Sequence, residues 1–331
     1  MTRLISIAIL ILFCHAAALA KPVHHYVFFN MDRERITEES FLATKAFEGA
    51  QLKYTWRELE PQKDVYDFSA ISKDLAFLTS KGKKLFIQLQ DVTFNARRVF
   101  VPEYLRTDEY NGGVAPQYEI ANNDEEHATI AGWVAKRWEP KVQDRFHKLL
   151  AALGKEFDGK IEGITLAETS VVFGQTGRLV PKGFTSEIYR DAIITNMKAL
   201  KRAFPKSVVM QYANFMPGEW LPDDDKSYLR SVYKAARELK VGVGGPDLLP
   251  FRRGQLNHSY PLIKESAGLV RTGIAVQEGN YAEKNPANGR RLSIAELLEF
   301  ATNTLKVDYV FWCTEEPYYS GEVIPFFKAM K

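Results

Sequence analysis

The sequence contains little cysteine. Of its two cysteines, Cys14 lies in an apolar N-terminal segment that we expect to be removed, which leaves Cys313. A mature chain with one cysteine forms no intrachain disulfide, and a domain of this size buries enough surface to fold without one. Cys313 ends an apolar segment beside Trp312, and a cysteine in such a position is usually inert packing. The sequence therefore disfavours a disulfide scaffold and thiol catalysis.

The sequence also lacks a metal-ligand pattern and a nucleophilic serine motif. Its six histidines show no ligand spacing, and the adjacent His24 and His25 point to opposite faces if they lie on a strand. No G-x-S-x-G turn is present. We therefore expect no metal ion and no cofactor.

Neither sign of charge dominates the chain. It has 44 Lys and Arg residues against 41 Asp and Glu residues, and the two signs are interspersed, so nothing indicates a nucleic-acid-binding face. Beyond the first 20 residues, no apolar run approaches the length that spans a membrane. We therefore expect no membrane contact by the mature chain, which we expect to be a monomer.

The first 20 residues have the pattern of a signal peptide. Arg3 precedes an apolar run from Leu4 to Phe13, and Ala18-Leu19-Ala20 has the small-x-small form of a cleavage site. We expect cleavage after Ala20 and a periplasmic or secreted protein. A lipoprotein anchor at Cys14 is disfavoured, because bulky residues stand before it where small ones are needed.

Residues 21–331 alternate between strand and helix patterns and predict one domain. A helix is clear where Phe146, Leu149, Leu150 and Leu153 recur on one face. Eight strands separated by helices predict a closed parallel (β/α)8 TIM barrel. The rival, an open doubly wound sheet, lacks its glycine-rich phosphate turn after the first strand. The strands are predicted at 26–30, 50–56, 84–90, 161–168, 208–214, 241–244, 273–278 and 309–313.

Two glutamates stand where apolar strands end. Glu168 ends the run in IEGITLAETS, the fourth strand, and Glu278 ends GIAVQE, the seventh. Catalytic residues of these barrels lie at the carboxyl ends of the strands, so the two acids are expected to face each other across the mouth. Glycoside hydrolysis needs one acid to protonate the leaving oxygen and a second to attack carbon or activate water. Each glutamate could instead cap a strand or pair with an arginine.

A stretch at the second strand carries a resemblance to a known family. Residues 49–69, GAQLKYTWRELEPQKDVYDFS, resemble the second-strand segment of the (β/α)8 glycoside hydrolase superfamily that has its acid/base after strand four and its nucleophile after strand seven. Asp64 replaces a glycine that is common there. The likeness is strongest over residues 49–91 and near the two glutamates. The matching residues are Trp56, Glu60, Pro61, Tyr66, Asp67, Phe68 and Ser69.

The resemblance implies roles for individual residues. It makes Glu168 the acid/base and Glu278 the nucleophile of a retaining glycosidase, and it places Trp312 at the floor of the sugar site. The family usually has asparagine before the acid/base, whereas this chain has Ala167. Asn214, at the end of the fifth strand, is a candidate replacement.

Other residues at strand ends complete the predicted sugar site. Aspartates after the third and sixth strands could bind sugar hydroxyl groups, and aromatic rings could stack on sugar faces, although aromatic residues at strand ends are also ordinary core. Glu315 and Glu316, after the eighth strand, compete for the catalytic role. The predicted substrate-binding residues are Trp56, Asp91, Asn214, Asp247, Tyr281 and Trp312.

The sequence thus predicts an exported glycoside hydrolase that acts on an oligo- or polysaccharide by a two-glutamate retaining mechanism. A carbohydrate-binding barrel that has lost catalysis is the alternative, and Ala167 is one sign of it. A different hydrolase that uses the same acids is a third possibility, because barrels host many chemistries.

Overall fold

A computed structural model describes residues 22–330, and the predicted signal peptide lies outside them. Its barrel strands are β1 (His24–Asn30), β2 (Phe47–Thr55), β3 (Lys84–Gln90), β7 (Gly163–Leu166), β8 (Val208–Tyr212), β9 (Gly242–Gly245), β10 (Thr272–Ala275) and β11 (Tyr309–Cys313). They close in the order β1-β11-β10-β9-β8-β7-β3-β2, with every neighbouring pair parallel. The predicted (β/α)8 barrel is confirmed.

Helices surround the barrel. In α4 (Pro140–Phe157) the predicted apolar face is buried. Helix α9 (Ile294–Glu299) begins at a capping box, in which Ser293 and Glu296 bond to each other's backbone N–H groups. No helix within residues 22–330 is long and apolar enough to cross a membrane. The other α-helices are α1 (Glu39–Leu42), α2 (Trp56–Leu59), α3 (Ser69–Ser80), α5 (Ser186–Ala203), α6 (Tyr228–Leu239), α7 (Arg253–Asn257), α8 (Ser259–Ser266) and α10 (Ile324–Ala329).

Short 3-10 and π-helical turns complete the connections. The 3-10 turns span Arg33–Thr37, Glu103–Leu105, Asp108–Tyr110, Ala121–Asn123 and Glu125–His127, and the π-helical turns span Phe300–Thr304 and Tyr319–Val323.

Aromatic rings fill the barrel interior. Tyr26, Phe86, Tyr309 and Phe311 contact one another with ring centroids 5.1–6.1 Å apart. Glycine makes room for them, because a Cβ atom on Gly163 would lie 2.5 Å from Phe86 Cζ. Side chains therefore fill this part of the barrel interior, and the space for a ligand lies at the carboxyl ends of the strands.

The segment after β3 forms a small sheet. Residues 92–128 are polar and aromatic, and a structureless loop of this length is uncommon unless it has a function such as covering a site. The structure shows three antiparallel strands, β4 (Val92–Thr93), β5 (Val114–Glu119) and β6 (Thr129–Ala135), in the order β4-β6-β5. Pro116 lies in β5, an edge strand, where a missing N–H is tolerated but weakens the sequence signal for a strand. Residues at the start of this segment form one wall of the mouth.

Candidate active site at the mouth of the barrel

A cavity of about 560 Å³ lies at the carboxyl ends of the strands. Its volume is within the usual range for small-molecule sites. Three carboxyl groups line it, those of Glu168, Asp247 and Glu278. The other lining residues include Asn30, Lys53, Gln88, Gln90 and Tyr212 from the barrel strands, Gln277 from the segment after β10, and Phe94, Asn95, Arg98 and Phe100 from the segment after β3.

Asn214 holds the side chain of Glu168. Its Nδ2 donates a hydrogen bond to Glu168 Oε2 at 2.6 Å, while its Oδ1 accepts from the backbone N–H groups of Ser170 and Phe215 at 3.2 and 3.0 Å. Because two donors occupy the amide oxygen, the amide NH2 group faces the carboxyl group. The residue that the sequence offered as a replacement for the missing asparagine therefore contacts the proposed acid itself.

The surroundings of Glu168 favour its protonated form. Burial raises the pKa of Glu168 to about 7, because loss of solvent disfavours the charged form. The hydrogen bond from Asn214 opposes this change, the negative charge of Asp247 raises the pKa further, and the positive charges of Lys53 and Arg137 lower it. The residue as a whole is half-buried, so its carboxyl group can reach a ligand in the cavity. Such a group can act as a general acid near neutral pH.

The floor of the cavity carries polar groups without partners. Lys53 lies beneath the cavity on β2. Burial lowers its pKa to about 8, and the negative charge of Glu168 opposes this change. Within residues 22–330, Gln88 Oε1 and Asn30 Oδ1 are buried and accept no hydrogen bond. Buried polar groups normally have partners. Unused acceptors on the floor suit a ligand with many hydroxyl groups.

Glu278 is exposed in the turn after β10 and lines the same cavity. The backbone is held on both sides of it: Gln277 N–H donates to Asn280 Oδ1 at 3.0 Å, and Gly279 N–H donates to Glu315 Oε2 at 2.8 Å. Glu315, a competitor for the catalytic role in the sequence, is thus an acceptor that supports this turn. The structure brings Glu168 and Glu278 to one cavity.

Asp91 is buried in an ion pair, which contradicts its predicted role in binding sugar hydroxyl groups. It is only 4% exposed, and both of its carboxylate oxygens pair with Arg137, Oδ2 with Nε at 2.7 Å and Oδ1 with Nη2 at 2.5 Å. Arg137 Nη1 donates in turn to the Glu168 carbonyl oxygen at 2.8 Å and to Tyr189 Oη at 2.7 Å. Asp91 therefore fixes the arginine that holds the backbone of Glu168.

We expect Asp91→Asn to lower the free energy of unfolding by about 3–5 kcal/mol, because it leaves the buried Arg137 guanidinium without a counter-charge. Denaturant unfolding followed by circular dichroism measures this loss. The exposed Asp144→Asn, which makes the same chemical change on the surface of α4, serves as the control and should stay close to the parent. Parent-like stability of Asp91→Asn would contradict the assignment.

Trp56 is not a sugar platform. Its ring is fully buried and packs on Phe146 of α4 with centroids 5.0 Å apart. Its Nε1 donates to Glu60 Oε2 at 2.9 Å. The predicted substrate contact is wrong, because this ring fills the layer between barrel and helix.

Trp312 and Tyr281 are also buried away from the cavity, so their predicted roles are wrong too. Phe311 faces the barrel interior, and side chains alternate along a strand, so Trp312 faces outward and packs on Phe327 of α10 at 5.1 Å. Tyr281 is 2% exposed, and its hydroxyl donates to the Cys313 carbonyl oxygen at 3.1 Å. Burial raises the pKa of the Cys313 thiol to about 12, which suits a packing role.

Sequence reasoning missed several residues of the site. Phe94 lines the cavity with 56% of its surface exposed, and its only signal was its position in the long segment after the third strand. Gln88 lines the cavity from β3, and no sequence pattern assigned it a role. Arg137 had no signal, because nothing in the sequence connects it to Asp91. Within residues 22–330, no three His, Cys, Asp or Glu side chains are grouped so as to hold a metal ion.

No protein family model and no curated protein matches the chain. Solved structures match it at low sequence identity. A GH5_18 protein from Bifidobacterium longum subsp. infantis is 14% identical, with a TM-score of 0.51 over 92% of this chain and 73% of that one. This comparison shows a shared barrel fold.

Two xylanases give lower scores. Xylanase 10B from Thermotoga petrophila, in complex with xylobiose, is 14% identical, with a TM-score of 0.49 over 88% of this chain and 82% of that one. Xylanase XynB from Paenibacillus barcinonensis, complexed with a conduramine derivative, is 13% identical, with a TM-score of 0.47 over 88% of this chain and 84% of that one.

Proposed function

We propose that the protein is an exported glycoside hydrolase that cleaves an oligo- or polysaccharide with retention of configuration. The observation that carries this proposal is the cavity at the mouth. It combines Glu168, whose pKa burial raises to about 7, with a second exposed carboxyl group, that of Glu278. The fold shared with a GH5_18 glycoside hydrolase agrees with the proposal. The export part rests on the N-terminal sequence pattern alone.

Two glutamates suffice for the chemistry. Glu168 donates its proton to the glycosidic oxygen as the bond to the anomeric carbon breaks, while the Glu278 carboxylate attacks that carbon and forms a covalent glycosyl-enzyme. The Glu168 carboxylate then takes a proton from water. That water attacks the anomeric carbon and releases Glu278, which restores both groups to their starting states.

Contacts within the protein support the proton-donating role. Asn214 fixes the Glu168 carboxyl group, and Arg137 fixes its carbonyl oxygen. A proton donor held at both its side chain and its backbone needs little reorganisation when the bond breaks. Phe94, exposed on the wall, offers a ring for the apolar face of a sugar.

A carbohydrate-binding barrel without catalysis is the second candidate. The observation that favours it is Ala167, which stands where the glycosidases that the sequence resembles usually have asparagine. Ala167 is 3% exposed, and its carbonyl oxygen accepts from Gln211 Nε2 at 2.8 Å, so it offers a sugar no polar side chain. In this candidate the polar floor binds the sugar and no bond is broken.

A panel of polysaccharides and oligosaccharides tests both candidates. Residues 21–331 are incubated with each, and the release of reducing ends is measured beside the double variant Glu168→Gln/Glu278→Gln. We expect release by the parent and none by the double variant. Binding by calorimetry without release would favour the second candidate. The absence of both binding and release across the panel would contradict both.

A further inference from the structure

Asn280 holds the side chain of Asp247 at the mouth of the barrel. Asn280 Nδ2 donates to Asp247 Oδ1 at 3.2 Å, and Asn280 Oδ1 accepts from the backbone N–H groups of Leu248 and Gln277, both at 3.0 Å. The amide oxygen is again occupied by two donors, so the NH2 group faces the carboxylate. Asn214 holds the carboxyl group of Glu168 in the same way.

The backbone of Asp247 is also constrained. Its φ is +69°, in the left-handed region that few residues other than glycine adopt. The Tyr260 hydroxyl donates to the Asp247 carbonyl oxygen at 2.7 Å and accepts from Leu249 N–H at 2.7 Å. Unusual backbone conformations persist where surrounding contacts fix them, and they cluster at functional sites.

We propose that Asp247 is a positioning residue whose negative charge, held by Asn280, keeps Glu168 in the protonated form that donates to the leaving oxygen. The inference deepens the proposed hydrolase function, on which its catalytic consequence rests. The sequence predicted Asp247 only as a partner for sugar hydroxyl groups.

The order in which the two groups titrate follows from their partners. Burial raises the pKa of Asp247 above its ordinary value, but the hydrogen bond from Asn280 and the charge of Arg252 favour its ionised form. Both acids line one cavity, and the charge of Asp247 is among the causes that raise the pKa of Glu168 to about 7, whereas Glu168 is not among the causes that raise the pKa of Asp247. Asp247 therefore loses its proton first, and its charge then opposes ionisation of Glu168.

Charged and polar groups from several other elements surround Glu168. Lys53, from β2, and Arg137, after β6, carry positive charges that favour the ionised form of Glu168. Asn214, after β8, is neutral, and Glu278, after β10, is exposed to solvent, which weakens its field at Glu168. The negative charge of Asp247 therefore opposes the effect of the two cations on the protonation of Glu168.

Asp247→Asn tests the proposal without any substrate. Asparagine tolerates a positive φ, and its amide oxygen can still accept from Asn280. In protein labelled with ¹³C at the side-chain carboxyl carbons, the signal absent from Glu168→Gln identifies Glu168. We expect Asp247→Asn to lower the titration midpoint of this signal by about one pH unit, the order of effect of removing a nearby like charge. The matched control Glu278→Gln should lower it by less.

A second measurement uses the parent. The Asp247 carboxyl signal should show a second inflection at the pH where Glu168 titrates, and Glu168→Gln should remove that inflection. Where hydrolysis is measurable, Asp247→Asn should also move the alkaline limb of kcat/KM to lower pH. An unshifted Glu168 midpoint, a larger shift in Glu278→Gln, or a single inflection for Asp247 would overturn the proposal. Failure of the hydrolysis panel bears on the proposed function and leaves these titrations valid.

Discussion

Glu168→Gln is expected to lower kcat/KM on saccharides by about a hundredfold to ten-thousandfold, the usual contribution of a general acid. Glutamine keeps the shape of the side chain and can still contact Asn214, but it has no proton to give to the leaving oxygen. Because Arg137 holds the backbone of residue 168, the fold should survive, and unfolding curves should match those of the parent.

Substrates with different leaving groups distinguish a loss of proton donation from a general loss of activity. An aryl glycoside with an acidic phenol departs without protonation, so Glu168→Gln should lose far less of its bond-cleavage rate on this substrate than on a saccharide. Glu156→Gln, the same change at an exposed site on α4, is the matched control and should retain parent activity on both. Equal losses on the two substrates would rule out the acid role for Glu168.

The pH profile gives an independent readout of the same group. Donation requires the protonated form, and burial raises the pKa of Glu168 to about 7. The parent kcat/KM on saccharides should therefore fall as pH rises through about 7. Glu168→Gln on the activated aryl glycoside should lack this alkaline limb.

Strand positions could be predicted where the apolar run and the hydrogen-bonded strand coincide. β3 (Lys84–Gln90) and β11 (Tyr309–Cys313) match the prediction at both ends. β7 and β10 end earlier than predicted, because apolar residues stay buried after strand pairing stops: Ala167 is 3% exposed and Val276 is fully buried. An apolar pattern reports burial, and near a barrel mouth burial continues past the last strand hydrogen bond.

The acids of the site could be predicted because a carboxylate at the end of an apolar strand is unusual in itself. The aromatic contacts could not. Trp312 is buried against a helix and Phe311 inside the barrel, and one residue of difference along a strand decides which side each faces. Asp91 was misassigned for a different reason, since its partner Arg137 follows β6, a strand that the sequence did not reveal.

Glu278→Ala is expected to lower kcat/KM by about a thousandfold or more, since removing a nucleophile eliminates the covalent route. The exposed side chain accepts no hydrogen bond from residues 22–330, and the turn is held by Asn280 and Glu315 through its backbone. Stability should therefore change little. Glu265→Ala, at an exposed site on α8, is the control for loss of a glutamate side chain.

Azide distinguishes a nucleophile from a residue that merely binds substrate. Removal of the carboxylate leaves space beside the anomeric carbon, so azide added to Glu278→Ala should attack there and restore cleavage of an activated aryl glycoside. Its product should be a glycosyl azide of configuration opposite to the substrate, because only one displacement occurs. Proton NMR of the first sugar released by the parent should show the retained anomer, since two displacements occur. An inverted first product from the parent would show that water attacks directly and that Glu278 is not the nucleophile.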